Sequence, residues 1–257
     1  LGLVYKLTPT TSVYGAFGSA YVISANFDRN NVQLAGGGAT EAIVGAGFNS
    51  PPEKAQAYEI GAKWRAAQAL DMGVALFRTD VTNGRIPAQA GGTTALVDNK
   101  YLIEGFELLA AGDLTRRWKL YAGYTHLSSK ITAAPAAGAN EAYVTSQKLG
   151  NTPQHSFNFF TTYDITPAIT VGGGMQHVGG VTSGVDNIQG DATYKVRIPG
   201  YTTYDLYAAY KFSRKTQLRL NLYNVADKEY IAQLADGGAQ GIPGPGRRAV
   251  LTLRHDF

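Results

Sequence analysis

Residues 216–225 read TQLRLNLYNV, and that string decides the fold. Leu218, Leu220 and Leu222 alternate with Gln217, Arg219 and Asn221, so an extended chain turns one greasy side and one wet side. On a helix the same three leucines would be scattered around the axis. The period of two returns in 247–257 (RRAVLTLRHDF), where Ala249, Leu251, Leu253, His255 and Phe257 oppose Arg248, Thr252, Arg254 and Asp256, with Val250 the exception. It returns again in 117–127, with Trp118, Leu120, Ala122 and Tyr124 against Lys119, Tyr121, Gly123 and Thr125. In 57–65 it sets Tyr58, Ile60, Ala62 and Trp64 against Glu59, Gly61, Lys63 and Arg65.

Composition agrees with a sheet. The 257 residues are 44% apolar but only 16% charged, with 31 glycines and 16 tyrosines, which disfavours a surface of charged helices. The absence of cysteine removes disulfides, thiolate metal sites and cysteine nucleophiles. The net charge of +4 is spread too thinly to favour nucleic acid as a partner. No run approaches the ~18 apolar residues of a membrane-spanning helix. The chain opens at Leu1, already inside the alternating Leu3, Tyr5, Leu7, which predicts a processed or cut N-terminus.

Turn residues divide the chain into eleven strand candidates: 1–7, 11–22, 56–66, 70–81, 100–112, 115–130, 154–165, 168–180, 198–212, 215–225 and 247–257. Many of these match the ~9–11 residues of a tilted membrane strand better than the ~5–6 usual in soluble sheets. Short turns (8–10, 67–69, 113–114, 166–167, 213–214) alternate with long segments expected to be irregular loops (23–55, 82–99, 131–153, 181–197, 226–246). Tight turns at one end and long loops at the other are the layout of an outer-membrane barrel. Trp118, Tyr163, Tyr210, Phe212 and Phe257 fall at the turn end, as an interfacial aromatic belt would. A soluble sandwich shares the β-propensity but does not explain that clustering.

Several strings, in order, resemble the TonB-dependent receptors of the ferric siderophore branch: PEKAQAYEIGAKW (52–64), ALFRTDVTNG (75–84), the stretch 103–131, NTPQHSFNFFTTYDI (151–165), NLYNVADKEY (221–230) and the closing GPGRRAVLTLRHDF. The resemblance implies an all-β antiparallel transmembrane barrel, with residues 1–257 as the C-terminal half of a 22-stranded outer-membrane barrel whose plug and first strands lie elsewhere. It implies import of a ferric siderophore, energised by the TonB complex through a segment ahead of the plug, at the bacterial outer membrane. Phe257 is the terminal aromatic that the barrel insertion machinery of such receptors reads; His255 stands where they often carry Tyr. An odd strand count supports the fragment reading, because eleven alternating strands would close only through a parallel seam. A passive porin, or an importer of a vitamin or sugar, would share the strand pattern.

Expected site residues follow. Glu59, Lys63, Arg65, Glu107, Arg219 and Asn221 should face the lumen and bond to the plug or to each other. Phe27, Arg29, Phe48, Tyr143, Tyr194 and Arg197, in or beside the long segments, suit an anionic aromatic chelate through stacking and charge. Asn224 and Asp227 should end a strand and turn the chain on their own backbone, with Lys228 and Tyr230 packing at the base of the last loop. No catalytic set is expected. His126, His155, His177 and His255 lack metal-ligand spacing, and His155-Ser156 point to opposite faces of a strand. Gly172-Gly173-Gly174 lacks the following helix of a phosphate loop and is expected at a crowded position facing the plug. Iron would arrive wrapped by its chelator, so neither a cofactor nor protein metal ligands are expected.

Overall fold

The computed structural model describes residues 1–22, 52–66, 69–90, 93–133, 148–183, 187–189, 192–194, 196–235 and 240–257. In chain order the strands are β1 (Gly2–Thr8), β2 (Thr11–Val22), β3 (Glu53–Ala66), β4 (Ala69–Ala90), β5 (Thr93–Thr115), β6 (Trp118–Ala133), β7 (His155–Asp164), β8 (Ile169–Val178), β9 (Val181–Thr182), β10 (Asn187–Gln189), β11 (Ala192–Tyr194), β12 (Arg197–Ile198), β13 (Tyr201–Lys211), β14 (Thr216–Tyr223), β15 (Ile231–Ala235), β16 (Gln240–Pro243) and β17 (Arg248–His255). Eleven of them form one sheet in the order β1-β2-β3-β4-β5-β6-β7-β8-β13-β14-β17, antiparallel at every step. These are the eleven candidates read from alternation. Among the described residues β1 and β17 each pair on one side only, so the sheet is an open arc.

Three of the segments expected to be irregular hold strands among their described residues. Residues 82–90 and 93–99 continue the β4–β5 hairpin, with Gly84 opposite Asn99 and Ala90 opposite Thr93. The hairpin passes an irregularity between Val81 and Gly84, where Asn83 adopts φ 56°. The 181–197 segment holds two small ladders, β9 with β12 and β10 with β11, and 226–246 holds β15 with β16. The turn expected at 113–114 moves to 116–117, since β5 runs to Thr115 past a register shift after Asp113.

Three of the short turns share one device. Thr115 Oγ1 accepts from the backbone N–H groups of Arg117 and Trp118, Thr166 Oγ1 from those of Ala168 and Ile169, and Ser213 Oγ from those of Lys215 and Thr216. A hydroxyl bonding backbone two and three residues on reverses the chain without a glycine.

Register partners share a face, so each face can be followed across the sheet. One row runs Leu3, Gly15, Ile60, Leu76, Phe106, His126 and His155. A second runs Trp118, Tyr163, Val171, Ala208, Leu220 and Leu251. On this apolar face two aromatic belts stand six residues apart on every strand that carries both: Trp64 and Tyr58 on β3, Trp118 and Tyr124 on β6, Tyr163 and Phe157 on β7, Tyr210 and Tyr204 on β13. Six residues span about 20 Å along a strand. From β3 to β6 the lower belt slips by four residues of register, because Trp64 aligns through Met72 and Ala110 with Ala122 rather than Trp118. That slip is the stagger of tilted strands. Between the belts Ile60, Leu76, Leu108 and Leu206 are 46–61% exposed, an apolar band that the protein itself does not cover. Protein-buried apolar side chains such as Ile131, Val181 and Leu234 gather at the loop end.

Candidate functional site: the polar face and its loop-end platform

The opposite face carries the charge. Glu59 lies in the row Ala16, Glu59, Phe77, Gly105; Glu107 in the row Tyr14, Gly61, Ala75, Glu107, Thr125; Lys63 in the row Ser12, Lys63, Gly73, Leu109. Arg65 faces Asp71, and Arg219 and Asn221 pair with Ala209 and Tyr207. All six charged or amide residues expected in the lumen therefore lie on one side, away from the aromatic belts. The bonds they make run to neighbours rather than to one another. Tyr14 Oη donates to Glu59 at 2.5 Å, Thr125 Oγ1 donates to Glu107 at 3.4 Å, Arg65 meets Asp71 at 3.0 Å, and Arg219 donates to Gln217 at 2.9 Å and 3.0 Å.

Tyr14 organises the centre of this face, which alternation alone did not reveal. Its ring lies over its cross-strand partner Gly61, where a Cβ would stand 2.6 Å from the ring, and Lys63 Nζ sits 5.2 Å from the ring centroid. Gly61 thus admits an aromatic side chain that carries the Glu59 bond. Three hollows follow the face: one of about 240 Å³ between Tyr14, Glu59, Lys63 and Glu107, one of about 380 Å³ reaching Phe77 and Thr125, and one of about 400 Å³ at the turn end lined by Lys6, Lys63, Arg65 and Asp71. The Gly172–Gly174 run is crowded by its own neighbours. Added Cβ atoms would stand 2.5 Å from Thr161 O, 3.1 Å from Asp205 O and 2.9 Å from Phe159 O. Gly172 and Gly174 lie on the polar face, as expected, and the adjacent strands already crowd all three glycines.

Above the sheet two asparagines build a platform. Asn224, only 4% exposed with φ 48°, donates from Nδ2 to Lys228 O and Pro245 O, and accepts Lys228 N–H on Oδ1. Its own N–H donates to Asp205 Oδ1 at 2.8 Å. Asp227, at φ 52°, accepts the Arg247 N–H on Oδ1 and pairs with the Arg247 guanidinium at 3.4 Å. The two residues follow β14 and clamp both sides of the last loop; where the sequence suggested a turn on their own backbone, their side chains reach Lys228, Pro245 and Arg247. Tyr230 stacks on Tyr201 with ring centroids 3.9 Å apart and covers Gly244. Asn151 does similar work from the β6–β7 connection: it donates to Leu234 O at 2.7 Å, accepts Leu234 N–H at 3.0 Å, and its own N–H donates to Thr182 O. It therefore ties the β9–β12 and β15–β16 ladders to one point. Sequence reading missed it, and its only signal was an asparagine before Thr152-Pro153.

Phe27, Arg29, Phe48 and Tyr143 lie outside the described residues. Tyr194 ends β11 opposite Asn187, and Arg197, exposed, stands in β12 opposite Thr182, so these two occupy separate ladders. Phe257 is fully exposed and meets the His255 ring edge-on at 5.0 Å. Two histidines separated by 29 positions, His126 and His155, face each other across β6 and β7, a pairing that sequence spacing had not suggested.

The model of the β-barrel of TonB-dependent-receptor-like proteins matches residues 1–225. A probable TonB-dependent receptor, BfrD, of Bordetella pertussis is 35% identical over the whole chain, which covers 33% of that protein. The catecholate siderophore receptor Fiu of Escherichia coli K12 is 31% identical over the whole chain, which covers 32% of it. Its closed-form crystal structure superposes with a TM-score of 0.76 at 28% identity, over 100% of this chain and 34% of that one. The siderophore receptor PiuA of Acinetobacter baumannii superposes with a TM-score of 0.74 at 28% identity, over 99% and 35%. The chain spans about a third of the length of the curated relatives it matches.

Proposed function

Because the chain belongs to the TonB-dependent receptor β-barrel family, we propose that it forms the C-terminal half of a 22-stranded outer-membrane barrel that binds ferric siderophores and imports them with energy from the TonB system. The observation that carries this reading is the two-sided sheet. One face holds an uncovered apolar band between aromatic belts, and the other holds Tyr14, Glu59, Lys63, Glu107 and Arg219. In a bilayer the first face suits hydrocarbon and the second a closed aqueous interior. Relatives named as siderophore receptors align along the entire chain, which supports an iron chelate as cargo.

Within that reading the work is binding and gated passage, with no covalent step. Glu59, Lys63, Arg65, Glu107, Arg219 and Asn221 present hydrogen-bonding groups to a plug carried elsewhere in the receptor. Phe27, Arg29, Phe48, Tyr143, Tyr194 and Arg197 contribute stacking and positive charge to capture outside the cell. Asn224, Asp227, Asn151 and Tyr230 hold the loop bases that carry such residues. Lipid covers the belts, Phe257 serves assembly by the insertion machinery, and iron enters already chelated, without a resident cofactor.

The test is uptake of radioactive iron by a strain deleted for the gene and given back the intact gene, with catecholate, hydroxamate and mixed chelates supplied singly. At least one chelate should enter, and entry should stop when TonB is removed. Uptake of none of them, together with steady ion leakage through the purified protein in planar bilayers, would make the barrel a porin instead.

A further inference from the structure

His126 and His155 are directly opposed residues of β6 and β7 on the apolar face. Their Nδ1 atoms stand 3.4 Å apart, with ring centroids at 4.8 Å and planes inclined by 45°. Tyr124 Oη lies 2.8 Å from His155 Nδ1, and the Phe106 ring flanks both the His126 and Tyr124 rings at 5.5 Å and 5.7 Å. Each histidine sits two residues beyond the upper belt residue of its strand, Tyr124 on β6 and Phe157 on β7, with His126 partly and His155 well exposed. The pair is thus at the loop-end edge of the apolar band, at headgroup level, where an ion can reach it from water.

Two ring nitrogens facing each other need something between them. His155 Nδ1 faces both Tyr124 Oη at 2.8 Å and His126 Nδ1 at 3.4 Å, so in the neutral tautomers hydrogen bonds occupy these nitrogens, and an ion would take the place of the proton between them. With metal–nitrogen bonds of about 2.0–2.1 Å and a tetrahedral angle, two ligands of one ion lie about 3.4 Å apart. The observed separation matches that bite, and the broad χ2 torsion of histidine lets each ring turn its lone pair onto a common ion. We propose that His126 and His155 form a binding site for a borderline divalent transition ion such as Zn²⁺, Ni²⁺ or Cu²⁺. The Tyr124 hydroxyl, or a water bonded to it, and solvent complete the coordination. Imidazole suits these ions and not Mg²⁺ or Ca²⁺, which take oxygen ligands. The site is distinct from cargo recognition: it lies on the outer flank of the proposed barrel and ties β6 to β7. His177 and His255 are built differently, each with Nδ1 against a threonine hydroxyl at 2.9 Å, Thr202 and Thr216.

The experiment uses the intact receptor in detergent micelles with no siderophore present. Titration with Cu²⁺ near pH 7.5, followed by electron paramagnetic resonance, should show one equivalent bound through two imidazole nitrogens. Zn²⁺ should compete for the same equivalent and raise the melting temperature, whereas Mg²⁺ should do neither. His126→Gln and His155→Gln should each abolish the two-nitrogen signal, Tyr124→Phe should weaken binding roughly tenfold, and His177→Gln should leave it unchanged. Heat-modifiable mobility in detergent gels establishes that each variant is folded. Should a folded variant fail to form, chemical modification of His126 and His155 in the native receptor provides the same comparison. A two-nitrogen signal that survives His126→Gln, or no such signal in the parent protein, overturns the proposal.

Discussion

Leu206 gives the sharpest test of which face meets lipid. It lies on β13 between the belt residues Tyr204 and Tyr210, beside Leu222 and Gly173, and 52% of its surface is uncovered by protein. If that face met water, Leu206→Arg would change stability by less than about 0.5 kcal/mol, as exposed substitutions usually do. In a bilayer the cost of arginine on the lipid face is about 2–4 kcal/mol at the midplane and falls toward the interfaces. Tyr204 and Tyr210 are about 20 Å apart along the strand, or about 15 Å along the membrane normal at ~40° tilt. Leu206, two residues from Tyr204, therefore sits about 5 Å inside the upper belt, where its side chain reaches the headgroups in part. The expected cost is about 2 kcal/mol, a shift of roughly thirtyfold in the unfolding equilibrium. Tyr121 is the control: it is similarly uncovered at 54%, stands midway between Trp118 and Tyr124, and points to the polar face. Tyr121→Arg should cost less than about 1 kcal/mol. Urea titrations of the intact receptor refolded into phosphatidylcholine vesicles, read by tryptophan fluorescence and gel mobility, measure both. Parent-like stability of Leu206→Arg would refute the orientation.

Two further outcomes concern the loop-end platform. Asn224→Ala removes three side-chain hydrogen bonds at a residue that is 4% exposed and in the left-handed region, and should destabilise by about 2–4 kcal/mol. Asn224→Asp, which retains the acceptor for Lys228 N–H and tolerates the left-handed backbone, should lose less in the same urea titration; equal losses would mean that the two Nδ2 donations, which both variants lack, carry the stability. Asn151→Ala frees Leu234 from its two amide bonds, so amide hydrogen exchange in 231–243 should quicken while exchange in β6 and β7 stays constant. Unchanged exchange in 231–243 would show that the ladder holds itself without Asn151.

The physical role of the framework follows from these hubs. In the proposed receptor the wall must be rigid in the membrane, and the loop bases must hold the segments above them in a fixed place. Backbone ladders supply the first requirement; buried amides such as Asn224, bonded to chain on both sides of a loop, supply the second. The turn end needs less, and single hydroxyls at Thr115, Thr166 and Ser213 suffice.

Alternation by itself determined the eleven strands, their order of hairpins and the side on which Leu220 or Arg219 lies, because side-chain direction along a strand is a local property with period two. Turn chemistry was equally local, so Asn224 and Asp227 were legible as strand ends. What lay beyond the sequence was everything set by register between strands. The pairing of His126 with His155, the Tyr14 ring resting on Gly61, and the grip of Asn151 on Leu234 across 83 positions join residues that no local pattern connects. The ladders in 82–99, 181–197 and 226–246 were hidden for the same reason: short ribbons are stabilised by what they pack against, and only the assembled sheet supplies that support.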